Sequence, residues 1–100
     1  MGKMQFRYDA ATSYLYELGL FDPKKALQNT HEITSKAMLS LGFTEVPTFA
    51  HINHVCDWIE ASLNEAPYWC FVIPITEGPT YYNWYFRDKK NALLFKLKWG

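Results

Sequence analysis

YYNWYFRDKKNALLFKLKWG, residues 81–100, is the stretch whose reading decides the fold. It holds seven aromatics, five basic residues and one acid. Its first six residues, YYNWYF, are aromatic apart from Asn83 and read as a strand. Beyond Asp88 two readings compete. As a strand, Leu93, Phe95, Leu97 and Trp99 alternate with Lys96 and Lys98. As a helix, Asp88 caps, and Ala92, Phe95 and Trp99 share a face with Leu94 beside them. Asn91-Ala92-Leu93-Leu94 has helical propensity, so the helix is preferred and a third strand is the alternative.

Working back, YWCFVIPI at residues 68–75 is aromatic and β-branched, bounded by Pro67 and the turn-like TEGPT. Pro74 suggests an edge or a bulge. The two strands make an antiparallel hairpin. Before them lie three helical patterns. Residues 49–63 follow Thr48 as cap and carry Ile52, Val55, Cys56, Ile59 and Leu63 on one face. Asp22 and Pro23 open a helix with a stripe through Leu27, Thr30, Thr34, Ala37, Met38 and Leu41, stopped by Gly42. Asn29 with Glu32 offers a second start and a break near residue 29. Residues 9–18 place Ala11, Tyr14, Leu15 and Leu18 together before Gly19, and a short strand from Met4 to Tyr8 can precede them.

The expectation is therefore an α+β fold: about three N-terminal helices packed on one face of a C-terminal antiparallel β-hairpin, followed by a short terminal helix. The expected core joins Leu27, Met38 and Leu41 to Ile52, Val55 and Ile59 and to Phe71, Ile73 and Trp84. One hundred residues make a single domain, 1–100. An apolar share of 49% at zero formal net charge argues against disorder. The opening MGKMQFRYDAA lacks the apolar region of a secretory signal, and WCFVIPI is too short to span a bilayer. A soluble, cytoplasmic protein without a membrane partner is expected.

Chemistry finds little support. His51, His54, Cys56 and Asp57 are metal-ligand types, but on a helix Cys56 points away from His54. His-x-x-His also lacks the glutamate of a zinc protease motif. Solvated or partner-facing histidines are the better reading, and no metal is expected. Cys56 and Cys70 sit in apolar settings that raise a thiol's pKa, and two cysteines are too few for a disulfide framework. With no nucleophile elbow, phosphate loop or paired carboxylates, the reading is no enzyme and no cofactor.

Charge is more informative. Residues 1–80 carry five basic and nine acidic residues, and residues 81–100 five basic and one acidic. If Tyr82, Trp84 and Phe86 face inward, then Tyr81, Asn83 and Tyr85 face outward. With Arg87, Lys89 and Lys90 they would form an aromatic and basic docking patch. The second-choice surface is His51, His54 and Trp58. The expected function is a small non-enzymatic protein-binding module whose partner is a larger protein or complex. The alternative is nucleic-acid binding through the basic aromatic end, which overall neutrality disfavours.

The ending FRDKKNALLFKLKWG resembles a tail found in short proteins of tailed bacteriophages, F-x-D-x-x-D-A-x-x-F-K-L-x-W. Phe86, Asp88, Ala92, Phe95, Lys96, Leu97 and Trp99 match it, and Asn91 stands where the acid is usual. The resemblance implies a phage or prophage origin and a helical ending. An inhibitor of host or defence machinery, used in host takeover or anti-defence, is the expectation that accompanies it.

Overall fold

The computed structural model describes residues 10–22, 24, 30–50, 52–72 and 78–99. In chain order they form α1 (Ala11–Glu17), α2 (Thr30–Ser40), β1 (Thr44–Thr48), α3 (Ile52–Ser62), β2 (Tyr68–Val72), β3 (Tyr81–Phe86) and α4 (Lys89–Trp99). The class is α+β, and the segment after Asp88 is helical rather than a third strand. The sheet nevertheless has three strands, all antiparallel, in the order β1-β3-β2.

The added strand is β1, TEVPT, between the second and third helices. Pro47 hides it in the sequence, because proline cannot donate to a ladder. It is tolerated here because β1 lies at an edge of the sheet, with Pro47 opposite Asn83. Thr48 ends the strand, and its hydroxyl accepts the Ala50 N–H at 3.1 Å. That bond turns the chain toward α3.

Insertion of β1 puts β3 in the middle, and the expected single helical layer becomes two. Val46, Trp84 and Phe86 pack with Val55, Ile59 and Leu63 of the α3 segment and with Ala92 and Phe95 of α4. On the opposite face, Cys70, Val72 and Tyr85 pack with Ala11 and Leu15 of α1, Met38 of α2 and Phe43. Met38 thus lies across the sheet from Val55 and Ile59, which corrects the expected joint core. Leu41 and Phe71, also expected inside, are exposed. Leu27, Ile73 and Pro74, the Met4–Tyr8 strand and the start of the second helix at Pro23 fall outside the described residues.

Both N-terminal helices end alike. At α1, the Leu20 N–H bonds the Leu15 carbonyl and the Gly19 N–H the Tyr16 carbonyl; at α2, Phe43 bonds Met38 and Gly42 bonds Leu39. These are Schellman closures, which need a positive φ at the residue after the cap. Gly19 and Gly42 supply it, at 74° and 93°.

The start of α4 is held from two sides. Asp88 Oδ1 accepts the Lys90 N–H at 2.9 Å, as an N-cap should. The Glu65 carboxylate accepts the backbone N–H groups of Arg87 and Asp88, placing negative charge at the helix N-terminus. Buried Asn91 then donates to Asn64 Oδ1 at 3.1 Å and Glu65 Oε1 at 2.9 Å. Asparagine suits this position, because a carboxylate there would have no proton to donate and would face Glu65.

Candidate protein-docking surface

Of the three β3 residues expected to face outward, Asn83 and Tyr85 are buried and Tyr81 is half-buried. Alternation along the strand is as read, but α1 and α2 cover the face expected to be free. Tyr85 and Asn83 are 0% and 1% exposed. Tyr85 lies opposite Glu45 of β1, and its hydroxyl is 3.7 Å from Cys70 Sγ. Burial, with Cys70 and Glu45 nearby, pushes the Tyr85 phenol well above its ordinary range. Ser35 of α2 donates to the same Glu45 carboxylate. This is an internal polar cluster, and neither Tyr85 nor Asn83 can touch a partner.

Tyr81, at the entrance to β3, is half-buried, with its ring 5.6 Å from Phe49. Burial, then Glu45 and Cys70, raises its phenol pKa. Arg87, Lys89 and Lys90 are exposed as expected. On the second-choice surface, His54 is exposed and His51 falls outside the described residues. Trp58 is half-buried and packs against the core: its ring meets Phe95 at 6.1 Å and Trp99 at 6.4 Å, both edge-on. Among the described residues no group of three or more His, Cys, Asp or Glu side chains could hold a metal ion. The Cys56 thiol is pushed up to about 11 by burial, then by Glu60 and Asp57, so it is protonated at neutral pH. No described helix is long and apolar enough to cross a membrane.

An exposed apolar stripe lies on the outer face of α4. The helix docks through Asn91, Ala92 and Phe95, with Trp99 half-buried at its end. At 3.6 residues per turn the opposite side carries Leu93, Leu94 and Leu97. They are 58, 49 and 76% exposed, and the last is the most exposed large apolar side chain among the described residues. Leu94, expected beside the buried face, points outward. Lys89 and Lys96 flank the stripe on one side and Lys98 on the other, with Lys90 a turn before Leu93 and Leu94. Lys98 lies 5.4 Å from the Trp99 ring.

Sequence reasoning missed these leucines because it treated the segment after Asp88 as a structural ending. The signal was present: an 11-residue helix with three leucines beyond those its buried face requires. Comparison with protein-family models, curated proteins and solved structures finds no match to the chain.

Proposed function

We propose that this protein is a small non-enzymatic binding module that inserts the outer face of α4 into an apolar groove of a larger protein, rimmed by carboxylates. The observation that carries the reading is the exposed Leu93, Leu94 and Leu97 stripe set among four lysines. Leucines at these spacings are the anchors of helix-in-groove recognition. The lysines select the groove's rim. With no acid in α4 to offset them, a second copy of the same face would bring like charges together, whereas an acidic rim is complementary. The docking role expected of Tyr81, Asn83 and Tyr85 passes to the leucines, while Lys89 and Lys90 lie beside them and steer association.

The phage or prophage origin, and with it inhibition of a host or defence complex, rests on the tail resemblance. Most matched residues have architectural jobs. Phe86 ends β3, Asp88 caps α4, and Ala92 and Phe95 are buried. Leu97 and Lys96 alone among the matched positions belong to the exposed face, and they tie the pattern to docking.

Leu93→Asp with Leu97→Asp should leave the circular dichroism spectrum unchanged. It should weaken the partner's binding by about 30-fold or more, the effect of losing a hot spot of about 2 kcal/mol. Lys89→Glu with Lys90→Glu should mainly slow association. The partner is identified by quantitative mass spectrometry as the protein retained by wild type and lost with the double aspartate variant. Retention at full strength sinks the α4 reading. Recovery of nucleic acid alone, released linearly in the logarithm of salt concentration, would establish the nucleic-acid alternative instead.

A further inference from the structure

A second site lies on the other side of the sheet and does not depend on the α4 face. Arg87 follows β3, and its guanidinium lies beside two aromatic rings. Its carbon is 5.4 Å from the Phe43 ring and 6.0 Å from the Tyr14 ring, and Nη2 donates to the Tyr14 hydroxyl at 3.2 Å. The rings are themselves fixed. Tyr14 stacks on Tyr68 at 4.2 Å, and Phe43 meets both edge-on. Tyr14, Leu41, Gly42, Phe43 and Arg87 line a depression of about 350 Å3, a size within the range of small-ligand sites.

Glu65 and Asp88, which flank the start of α4 beside Arg87, have other partners among the described residues. Glu65 is engaged with the backbone N–H groups of Arg87 and Asp88 and with Asn91. Asp88 is engaged in capping α4. Among the described residues the guanidinium has aromatic rings and one phenol as partners and no carboxylate. Rings attract a cation but leave its forked N–H donors in need of an acceptor.

We propose that the Arg87 cradle binds a monoanionic carboxylate carried on an apolar or aromatic body. The planar carboxylate matches the guanidinium fork, and the body lies over Phe43 and Leu41. One cation sits in the cradle and matches one negative charge, so a dianionic phosphate would be left with excess negative charge. Exposed Leu41, unexplained by the core, becomes part of the floor. Such a group can be a free aryl acid or the C-terminal residue of a peptide.

The test is a titration of the full chain followed by NMR of the Arg87 side chain and the Tyr14 and Phe43 rings. The probes are phenylacetate, N-acetylphenylalanine, N-acetylphenylalanine amide and inorganic phosphate. Both acids should shift these signals saturably, and the amide should bind at least about tenfold more weakly, since it lacks the charge-assisted pair. N-acetylphenylalanine saturating first assigns the site to a peptide C-terminus, and phenylacetate first to a free acid. Arg87→Gln should lose binding by a similar factor. Tyr14→Phe, which keeps both rings and frees Nη2, should retain it. Equal binding of acid and amide to the wild-type chain, tighter binding of phosphate, or an unchanged curve in Arg87→Gln would overturn the proposal. The acid-against-amide comparison needs no variant, so it stands even if Arg87→Gln disturbs folding.

Discussion

The two faces of the sheet are built differently from the same alternating strand. Toward α3 and α4, β3 presents Trp84 and Phe86 into a cluster of aliphatic and aromatic side chains. Toward α1 and α2 it presents Asn83 and Tyr85, with Cys70, Glu45 and Ser35 supplying polar atoms around the phenol. The first face gains from area removed from water, at about 25 cal/mol per Å2, and tolerates little change in volume. The second gains less per residue but is directional, because each buried polar group must find its partner. A strand covered on both sides with only one of them fully apolar is easily misread as half-exposed.

Three substitutions put this contrast to the test. The largest effect belongs to the apolar face. Phe95, 0% exposed and 4.9 Å from the Phe86 ring and 5.7 Å from the Trp84 ring, joins α4 to the sheet. Phe95→Ala should cost about 3–5 kcal/mol in urea unfolding. A loss under about 1 kcal/mol would show that α4 is not seated there. Next comes the polar joint at the edge of the same layer. Asn91→Asp should cost about 2–3 kcal/mol at neutral pH, since it removes two donated bonds and sets a carboxylate against Glu65. An unchanged melting temperature would place Asn91 elsewhere.

The smallest effect is expected opposite. Tyr85→Phe keeps the ring and removes the hydroxyl, so a loss of about 1 kcal/mol is expected at pH 7. Its signature is alkaline. The Tyr85 phenol is held protonated in the fold above its ordinary pKa of 10.0, so its contribution is complete below that pH and is lost as pH rises beyond it. Stability should fall less steeply above pH 10 in Tyr85→Phe than in wild type. Parallel profiles would mean that the hydroxyl is not buried.

How much was legible follows from which physical signals are local. Asp88 as cap, Gly19 and Gly42 as stops, and Val55, Ile59 and Leu63 as a buried stripe depend on spacings within one element, and all hold. The hairpin between β2 and β3 was readable from two aromatic runs and a turn. β1 was not, because its pairing with residues 82–86 is distant in sequence and Pro47 argues against a strand when its edge position is unknown. That one omission displaced the candidate site. Without β1 there is no central strand, Tyr85 looks free, and the leucines of α4 look like core. Arg87 was picked out for its charge, but Tyr14, Phe43 and Tyr68 come from three separate segments, and no spacing brings them to it.

The strand order β1-β3-β2 also governs when the molecule can exist. β3 is the last of the described strands, yet both β1 and β2 pair along their length with it, and among the described residues only the Ala10–Trp69 bridge gives β2 another partner. During synthesis, β1 and β2 leave the ribosome before the strand that both of them pair with. The helices around them lack the central strand whose Trp84 and Tyr85 complete the two cores. Thr44 must wait for Phe86 and Thr48 for Tyr82. Such closures over long stretches of chain are the slow part of folding. A nascent chain halted before Tyr81 has two strands without their shared partner, open to chaperones and proteases alike. The aromatic strand that first looked like a gripping surface is instead the component whose arrival assembles all the others.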